Sequence, residues 1–342
     1  MLVDKPDILP FEKRFAQYDD KHCPGLAVMV IEDGATKFRN GYGLSNLKTK
    51  EKINYDTNFG MASVSKQFTA MCIAILEEKK QLSSDDYISQ YFHDLPNYMS
   101  SIKIKHLIHH LSGLPDYSSY LWSSNKKKPL ISNHDVYAFY KNAKKLDFKA
   151  GDRFEYSNGG YSLLPLLIEN ATGQSFPDFI NNSIFEPANM KNTAIFEYPS
   201  NISNQATSYS EWPFFEDIDF NTGNALQGEG GVYTSLADMQ AWIHAIENNT
   251  LIGPAMTEKV FSAVQDNNGN KVNYGYGWSF GEMYKHKVIV HTGGWAGFNT
   301  VIAKVPDRKI WFVAFSNTEA IDAENAALEM AKYYLDIDPE MF

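Results

Sequence analysis

The chain carries two cysteines, Cys23 and Cys72, in 342 residues, which excludes a disulfide framework. Cys72 stands among Phe68, Met71, Ile75 and Leu76 at helical spacing and reads as a small buried hydrophobe; neither thiol is assigned a role. Long apolar runs are missing too. The longest, Gly25 to Ile31 and Trp311 to Phe315, have strand length and fall far short of the ~18 residues of a bilayer-crossing helix, so no membrane span is expected. Residues 1–24 hold acids, a mid-segment proline and no apolar core, so no signal peptide is expected there. The compartment stays open between the cytoplasm and a periplasm reached with a leader since removed. Cations are scarce: 31 Lys+Arg against 41 Asp+Glu leave a net charge of −10. That is the opposite of a surface built to neutralise phosphates, and nucleic acid is excluded as a partner. The one basic run, Lys126 to Lys128, reads as a solvated loop tip.

What is present is ordinary for a folded protein: 44% hydrophobic, 14% aromatic and 21% charged residues. The length allows one large domain or two lobes. After an amphipathic stretch, Phe11 to His22, two strand-like runs flank Asp33-Gly34, a favoured hairpin dipeptide. Near the other end "VNYGYGWSF", "HKVIVHTGG" and "FNTVIAKVPDRKIWFVAFSN" give about four more strands, with Pro306-Asp307 as the last turn, and 321–335 closes as a helix. Between these ends the periodicity is helical: Phe68 to Leu82, Asp85 to Phe92, Ile104 to Leu111, Asp135 to Lys145, Ser162 to Thr172 and Pro177 to Phe185. Pro165 either starts the fifth of these or kinks it. The expected class is α/β (α+β): an antiparallel sheet of N- and C-terminal strands flanked by helices, with an inserted all-helical lobe. Residues 1–82 with 225–342 form the sheet lobe and 83–224 the helical lobe, with the site in the groove between them.

Three short elements carry chemistry. Ser63 and Lys66 stand one turn apart at the start of an apolar-periodic helix, where a lysine can take the hydroxyl proton and free N–H groups can hold an oxyanion. The same S-x-x-K spacing recurs at Ser45/Lys48, Ser100/Lys103, Ser123/Lys126 and Ser124/Lys127, but only Ser63 is followed by such a helix. Tyr156-Ser157-Asn158 precedes Gly159-Gly160 in a loop, where a phenol can relay a proton and an amide can bind a carbonyl or the lysine. The same spacing at Tyr140/Asn142 falls inside a helical pattern. Last, a strand runs into His291-Thr292-Gly293-Gly294, where glycines let a ligand lie along a sheet edge. His106, His109 and His110 share one helix, but no H-E-x-x-H glutamate or third ligand accompanies them, so no metal or other cofactor is expected. No G-x-S-x-G occurs, against an α/β-hydrolase.

In this order the three elements resemble the serine β-lactamase and penicillin-binding-protein superfamily, in the branch with class C β-lactamases, D-peptidases and related esterases. "IKHLIHHLSGLPDY" (104–117), "FEYSNGGYSLL" (154–164), "IFEPANMKNT" (184–193) and "GEGGVYTSLADM" (228–239) extend the likeness along the chain. The resemblance implies that Ser63 is acylated while Lys66 and Tyr156 share general base and acid duties. It further implies that Asn158 binds the substrate's amide, that the N–H groups of Ser63 and Gly294 form the oxyanion hole, and that Thr292 and Gly293 hold the substrate. His291 departs from the usual lysine. A mostly neutral imidazole suits a substrate carboxylate poorly, which moves the expectation from β-lactams towards esters and D-amino-acid peptides. The expected function is a serine hydrolase with an acyl-enzyme intermediate on a small-molecule or peptide ester, amide or lactam. The alternative is a weakly active penicillin-binding or sensor protein, acylated without efficient turnover. Oligomeric state is not readable from the sequence.

Overall fold

The computed structural model describes residues 9–119, 130–200, 202–211 and 213–337. Ser123, Ser124 and the Lys126–Lys128 run lie outside them. Strands β1 (Leu26–Glu32) and β2 (Ala35–Tyr42) turn through Asp33 and Gly34. Their φ values of 48° and 76° are both left-handed, as a tight two-residue hairpin demands. From the far end of the chain come β3 (Ser279–Met283), β4 (His286–Trp295), β5 (Phe298–Val305) and β6 (Ile310–Ser316). All six form one antiparallel sheet in the order β3-β4-β5-β6-β1-β2, so the first strand pairs with the last, Leu26 opposite Ser316 and Glu32 opposite Ile310. The mixed, helix-flanked architecture matches the expectation from sequence.

Helices cover both faces of this sheet. On one side Val28, Val30, Phe312 and Ala314 pack with Phe11 and Phe15 of α1 (Pro10–Phe15) and with Ala327 and Met330 of a C-terminal helix, Ala323–Tyr334. On the other, Ala27, Met29, Trp311, Val313 and Phe315 join the main core. A strand buried on both faces has no polar side to show, which is why β1 and β6 read as continuous apolar runs.

The remaining helices are α2 (Lys66–Glu78), α3 (Ile104–Ile108), α4 (Asn133–Asn142), α5 (Asn158–Thr172), α6 (Phe176–Ile180), α7 (Leu236–Glu247) and α8 (Pro254–Val260), with the C-terminal helix as α9. Helix α2 is the central rod. It is buried from Lys66 to Leu76, with the Phe68 ring 4.5 Å from Trp242 of α7 and 5.8 Å from Phe185. Cys72 lies within this core, as its spacing indicated.

Several boundaries differ from the periodicity. Asp85 to Phe92 is not a helix but holds a single 3-10 turn, Ile88–Gln90. There the Asp86 carboxylate accepts from Ser83 N and from the Tyr91 hydroxyl, local bonds that favour a turn over a helix. Helix α5 begins at Asn158 rather than Ser162, because Ser157 Oγ accepts from Gly160 N as its cap. Pro165 therefore lies inside it. Past α6 the chain continues as a π-helical turn, Asn181–Phe185. Of "VNYGYGWSF", Val272 ends a two-residue strand, Lys271–Val272, and the sheet strand starts only at Ser279; between them Gly275 N bonds Trp278 O in a tight loop that carries Tyr274.

Phe312 is fully buried between β1, β5 and α9. Phe312→Ala should lower the unfolding free energy by ~3–5 kcal/mol in a denaturant titration; a loss below ~1 kcal/mol would show that this second face is not a packed core.

Candidate active site

The sequence places Ser63 between two apolar anchors, and the fold turns that stretch into a 3-10 turn, Ala62–Ser65, running straight into α2. The turn is pinned from two sides. Met61 N donates to Val232 O (2.8 Å) and Met61 O accepts from Thr300 Oγ1 of β5 (3.0 Å). Ala62 has a φ of 47°, a left-handed conformation that costs an L-residue roughly 1–2 kcal/mol. This strained residue immediately precedes Ser63.

One turn into the helix, Lys66 has no exposed surface at all. Its Nζ donates to Ser63 Oγ (3.0 Å), to Asn158 Oδ1 (2.9 Å) and to the backbone oxygen of Glu229 (2.8 Å). An ammonium has three donors, and here each has an acceptor, which is the condition for burying it. Asn158 is the first residue of α5, so the cap at Ser157 fixes its direction. The Tyr156 ring lies 5.1 Å from Lys66 Nζ and is 44% exposed. It rests on His110, with ring centroids 4.2 Å apart.

Strand β4 closes the third side. Ser63, Tyr156, His291, Thr292, Gly293 and Gly294 border one open cavity. Ser63 and Gly294 also border a second, of about 570 Å³, walled by Asn224, Tyr233, Trp295 and Phe298. A Cβ on Gly293 would stand 2.5 Å from Met61 O and 3.0 Å from Ser63 N, so only glycine lets the strand approach the serine turn this closely. On Gly294 a Cβ would meet nothing within 4 Å, which leaves its backbone facing open space.

His291 is buried, with Nδ1 2.7 Å from Thr292 O and Nε2 2.8 Å from the Tyr274 hydroxyl. A carbonyl only accepts, so Nδ1 carries the proton and Nε2 accepts from Tyr274: the imidazole is neutral. Burial, reinforced by the charge of Lys66, pulls its pKa down to about 3. His110 is driven well below the usual imidazole value by the same two causes, and its Nδ1 accepts from Ser157 N (3.0 Å). His106 and His109 are tied elsewhere, to Lys103 N and to Tyr274 O, and burial lowers each to about 4.

The structure thus gathers all eight residues that sequence reading singled out around Ser63. The competing pairs have other partners: Ser100 Oγ donates to Asn97 O, Lys103 pairs with Asp85, Ser45 Oγ donates to Glu51 O and the Tyr140 hydroxyl to Pro115 O. Sequence reading quoted the 228–239 segment only for its family likeness and missed that it supplies the third acceptor for Lys66. The Glu229 carboxylate takes hydroxyls from Tyr117 and Ser162, Asn133 bonds both N and O of Gln227, and Thr69 Oγ1 donates to Gly228 O. These are backbone anchors, and a backbone acceptor leaves no side-chain signature.

Comparison with known proteins agrees with this geometry. The family model described as Beta-lactamase matches residues 11–334. Penicillin-binding protein 4* of Bacillus subtilis (strain 168) is 31% identical over 337 residues, covering 94% of this chain and 74% of its own. Among solved structures, the octameric penicillin-binding protein homologue from Pyrococcus abyssi superposes with a TM-score of 0.83 at 23% identity, over 96% of this chain and 78% of its own. The D-amino acid amidase from Ochrobactrum anthropi SV3 superposes with a TM-score of 0.77 at 19% identity, over 96% and 97%. With a matching sequence model along almost its whole length and the corresponding fold, the chain belongs to the Beta-lactamase family, within the serine β-lactamase and penicillin-binding-protein-like superfamily.

Proposed function

We propose that the protein is a serine hydrolase that forms an acyl-enzyme on Ser63 and acts on esters or amides that lack a carboxylate, D-amino-acid amides among them. The observation that carries this reading is the buried Lys66 amine, 3.0 Å from Ser63 Oγ. Its other two partners, Asn158 Oδ1 and Glu229 O, are carbonyl oxygens that can only accept. Two N–H bonds are committed to them, so the position facing Ser63 is the one at which the amine loses or gains a proton. Acylation uses Lys66 as the uncharged amine, with its lone pair in place of the N–H towards Ser63: Ser63 Oγ attacks the substrate carbonyl and passes its proton to that lone pair. Tyr156, at the mouth of the cavity and beside Nζ, relays a proton to the leaving group, and the same pair activates the water that releases the acyl group. The N–H groups of Ser63 and Gly294, on either side of the cavity, receive the oxyanion. Asn158 and the Thr292-Gly293 edge hold the substrate, and His291 sets its charge preference.

The charge of the site disfavours anionic substrates. His291 stands where related β-lactamases carry lysine, and its neutral ring, with both nitrogens engaged, brings no cation to a substrate carboxylate. The D-amino acid amidase whose fold this chain shares acts on amides, which supports the same substrate class.

Treatment with a fluorophosphonate should place one adduct on Ser63 by peptide mass spectrometry, and Ser63→Ala should reduce kcat on an active ester by about 10⁴-fold or more. An adduct on another residue, or retention of most activity, overturns the assignment. An adduct that persists for hours without turnover of ester, D-amino-acid amide or β-lactam would instead favour a sensor. Gly293→Ala should lower kcat/KM by about 10²-fold and the unfolding free energy by ~1–3 kcal/mol, since the new methyl pushes β4 off the Ser63 turn. Because burial and the Lys66 charge pull the His291 pKa down to about 3 and hold His110 well below the usual imidazole value, kcat/KM for a neutral ester should show no ionisation step between pH 5 and 8 that His291→Gln removes. A step in that range that vanishes in the variant would contradict the buried, neutral imidazole.

A further inference from the structure

Beyond Asn224 the groove opens into another cavity, of about 690 Å³, whose walls include Phe196, Tyr198, Gln205, Asp219, Phe220 and Asn224. Asn224 is the partition. It borders the Ser63 cavity on one side and this one on the other, and its amide is locked, with Oδ1 accepting from Trp295 Nε1 (2.8 Å) and Nδ2 donating to Asp219 O (2.6 Å). The two spaces are therefore contiguous across a fixed side chain.

Two properties of this cavity point to a ligand. The first is exposed aromatic surface: Tyr198 is 61% and Phe220 55% exposed, with ring centroids 5.7 Å apart at 64°, so two ring faces meet at an angle over the opening. The second is a carboxylate without a counter-ion. Asp219 is partly buried; its side chain accepts from the Ser208 backbone and, at longer range, from Gln205 Nε2 (3.3 Å) and Ser208 Oγ (3.4 Å), and it has no cationic partner among the described residues. Burial, with the neighbouring Asp217 carboxylate adding to it, raises the Asp219 pKa to about 6. A partly buried carboxylate flanked by ring faces is complementary to an organic cation, which gains from both the charge and the ring quadrupoles. The wider lining agrees. Glu229, Glu324 and Asp219 border the connected cavities, and among the described residues no arginine or lysine is part of those walls.

We propose that the Asp219 cavity is a substrate subsite that takes an ammonium group, primary to quaternary, borne on an apolar stem of the acyl group attached at Ser63. This rests on Ser63 as the acylated residue. It adds a second point of recognition, remote from the reacting carbonyl, that selects cationic over neutral and anionic acyl chains. Asp219 supplies the counter-charge, Tyr198 and Phe220 the ring faces, and Asn224 the step over which the stem passes.

The test uses two p-nitrophenyl esters whose acyl chains differ only at the far end, trimethylammonium against the isosteric tert-butyl group. The wild-type protein should prefer the cationic ester by about tenfold in kcat/KM. Asp219→Asn should abolish that preference while leaving the rate on the neutral ester unchanged, and Phe220→Ala should reduce it by several-fold. A preference absent in the wild type, or equal in wild type and Asp219→Asn, overturns the subsite. If the neutral ester is cleaved in a Ser63-dependent way while the preference is absent, the subsite fails and the hydrolase reading stands. Calorimetric titration with butyltrimethylammonium covers the converse case, in which neither ester is turned over. Saturable binding that Asp219→Asn removes supports the subsite without any catalysis, and no binding to the wild type overturns it. Thermal melts at pH 7 control for folding; Asp219→Asn should melt no lower than the parent, because it removes a carboxylate that burial leaves without a counter-ion.

Discussion

An amine with no exposed surface organises this protein. Burying Lys66 is tolerable only because three oxygens from three separate parts of the chain converge on it: Ser63 from the turn before α2, Asn158 from the start of α5, and the Glu229 backbone from the loop that precedes the short strand Val232–Thr234. Each of those segments is fixed by something else in turn. The serine turn is clamped by Thr300 and Val232, α5 is capped by Ser157, and the Glu229 loop is tied to Asn133, Thr69, Tyr117 and Ser162. Displacing any one would leave an uncompensated charge in the interior. The arrangement that makes Lys66 chemically useful is thus the one that makes it structurally tolerable.

The electrostatics beside it follow one rule. His291 and His110 both lie within reach of the Lys66 charge and both are buried, so both are neutral; His291 engages both ring nitrogens, with Thr292 O and the Tyr274 hydroxyl, and His110 engages Nδ1, with Ser157 N. Among the described residues Lys66 is the cationic side chain bonded to Ser63, and the neutral His291 adds no charge beside it.

The sequence made the site more legible than the fold around it. Ser63, Lys66, Tyr156, Asn158 and the His291–Gly294 run were readable because the proposed roles call for particular residue types, and four S-x-x-K matches could be set aside for want of a long apolar-periodic helix after them. The sheet was readable for a different reason: β1 and β6 are buried on both faces and so are apolar throughout. What escaped were features that depend on backbone or on distant neighbours. The extra turn of α5 was hidden by Gly159-Gly160, which looks like a loop until Ser157 is seen to cap it. The absent helix at Asp85 to Phe92 was decided by the Asp86 carboxylate, and the third acceptor of Lys66 is a carbonyl that any residue type would supply. Ala62 gives no hint in its identity of its left-handed φ.

The pairing of β1 with β6 has a consequence for the order of events during synthesis. Leu26 lies opposite Ser316, and β4, which carries His291 to Gly294, reaches the rest of the sheet only through β5 and β6. Contacts separated by nearly the whole chain are the slowest to close and cannot begin before the later strands have left the ribosome. Ser63 and Lys66 are made early, and their helix can form locally, but the wall facing them is among the last pieces to arrive. The nascent protein thus holds the proposed nucleophile, Ser63, for most of its synthesis without the strand that walls the cavity opposite it, and the proposed site is completed late, in the same step that seals the sheet.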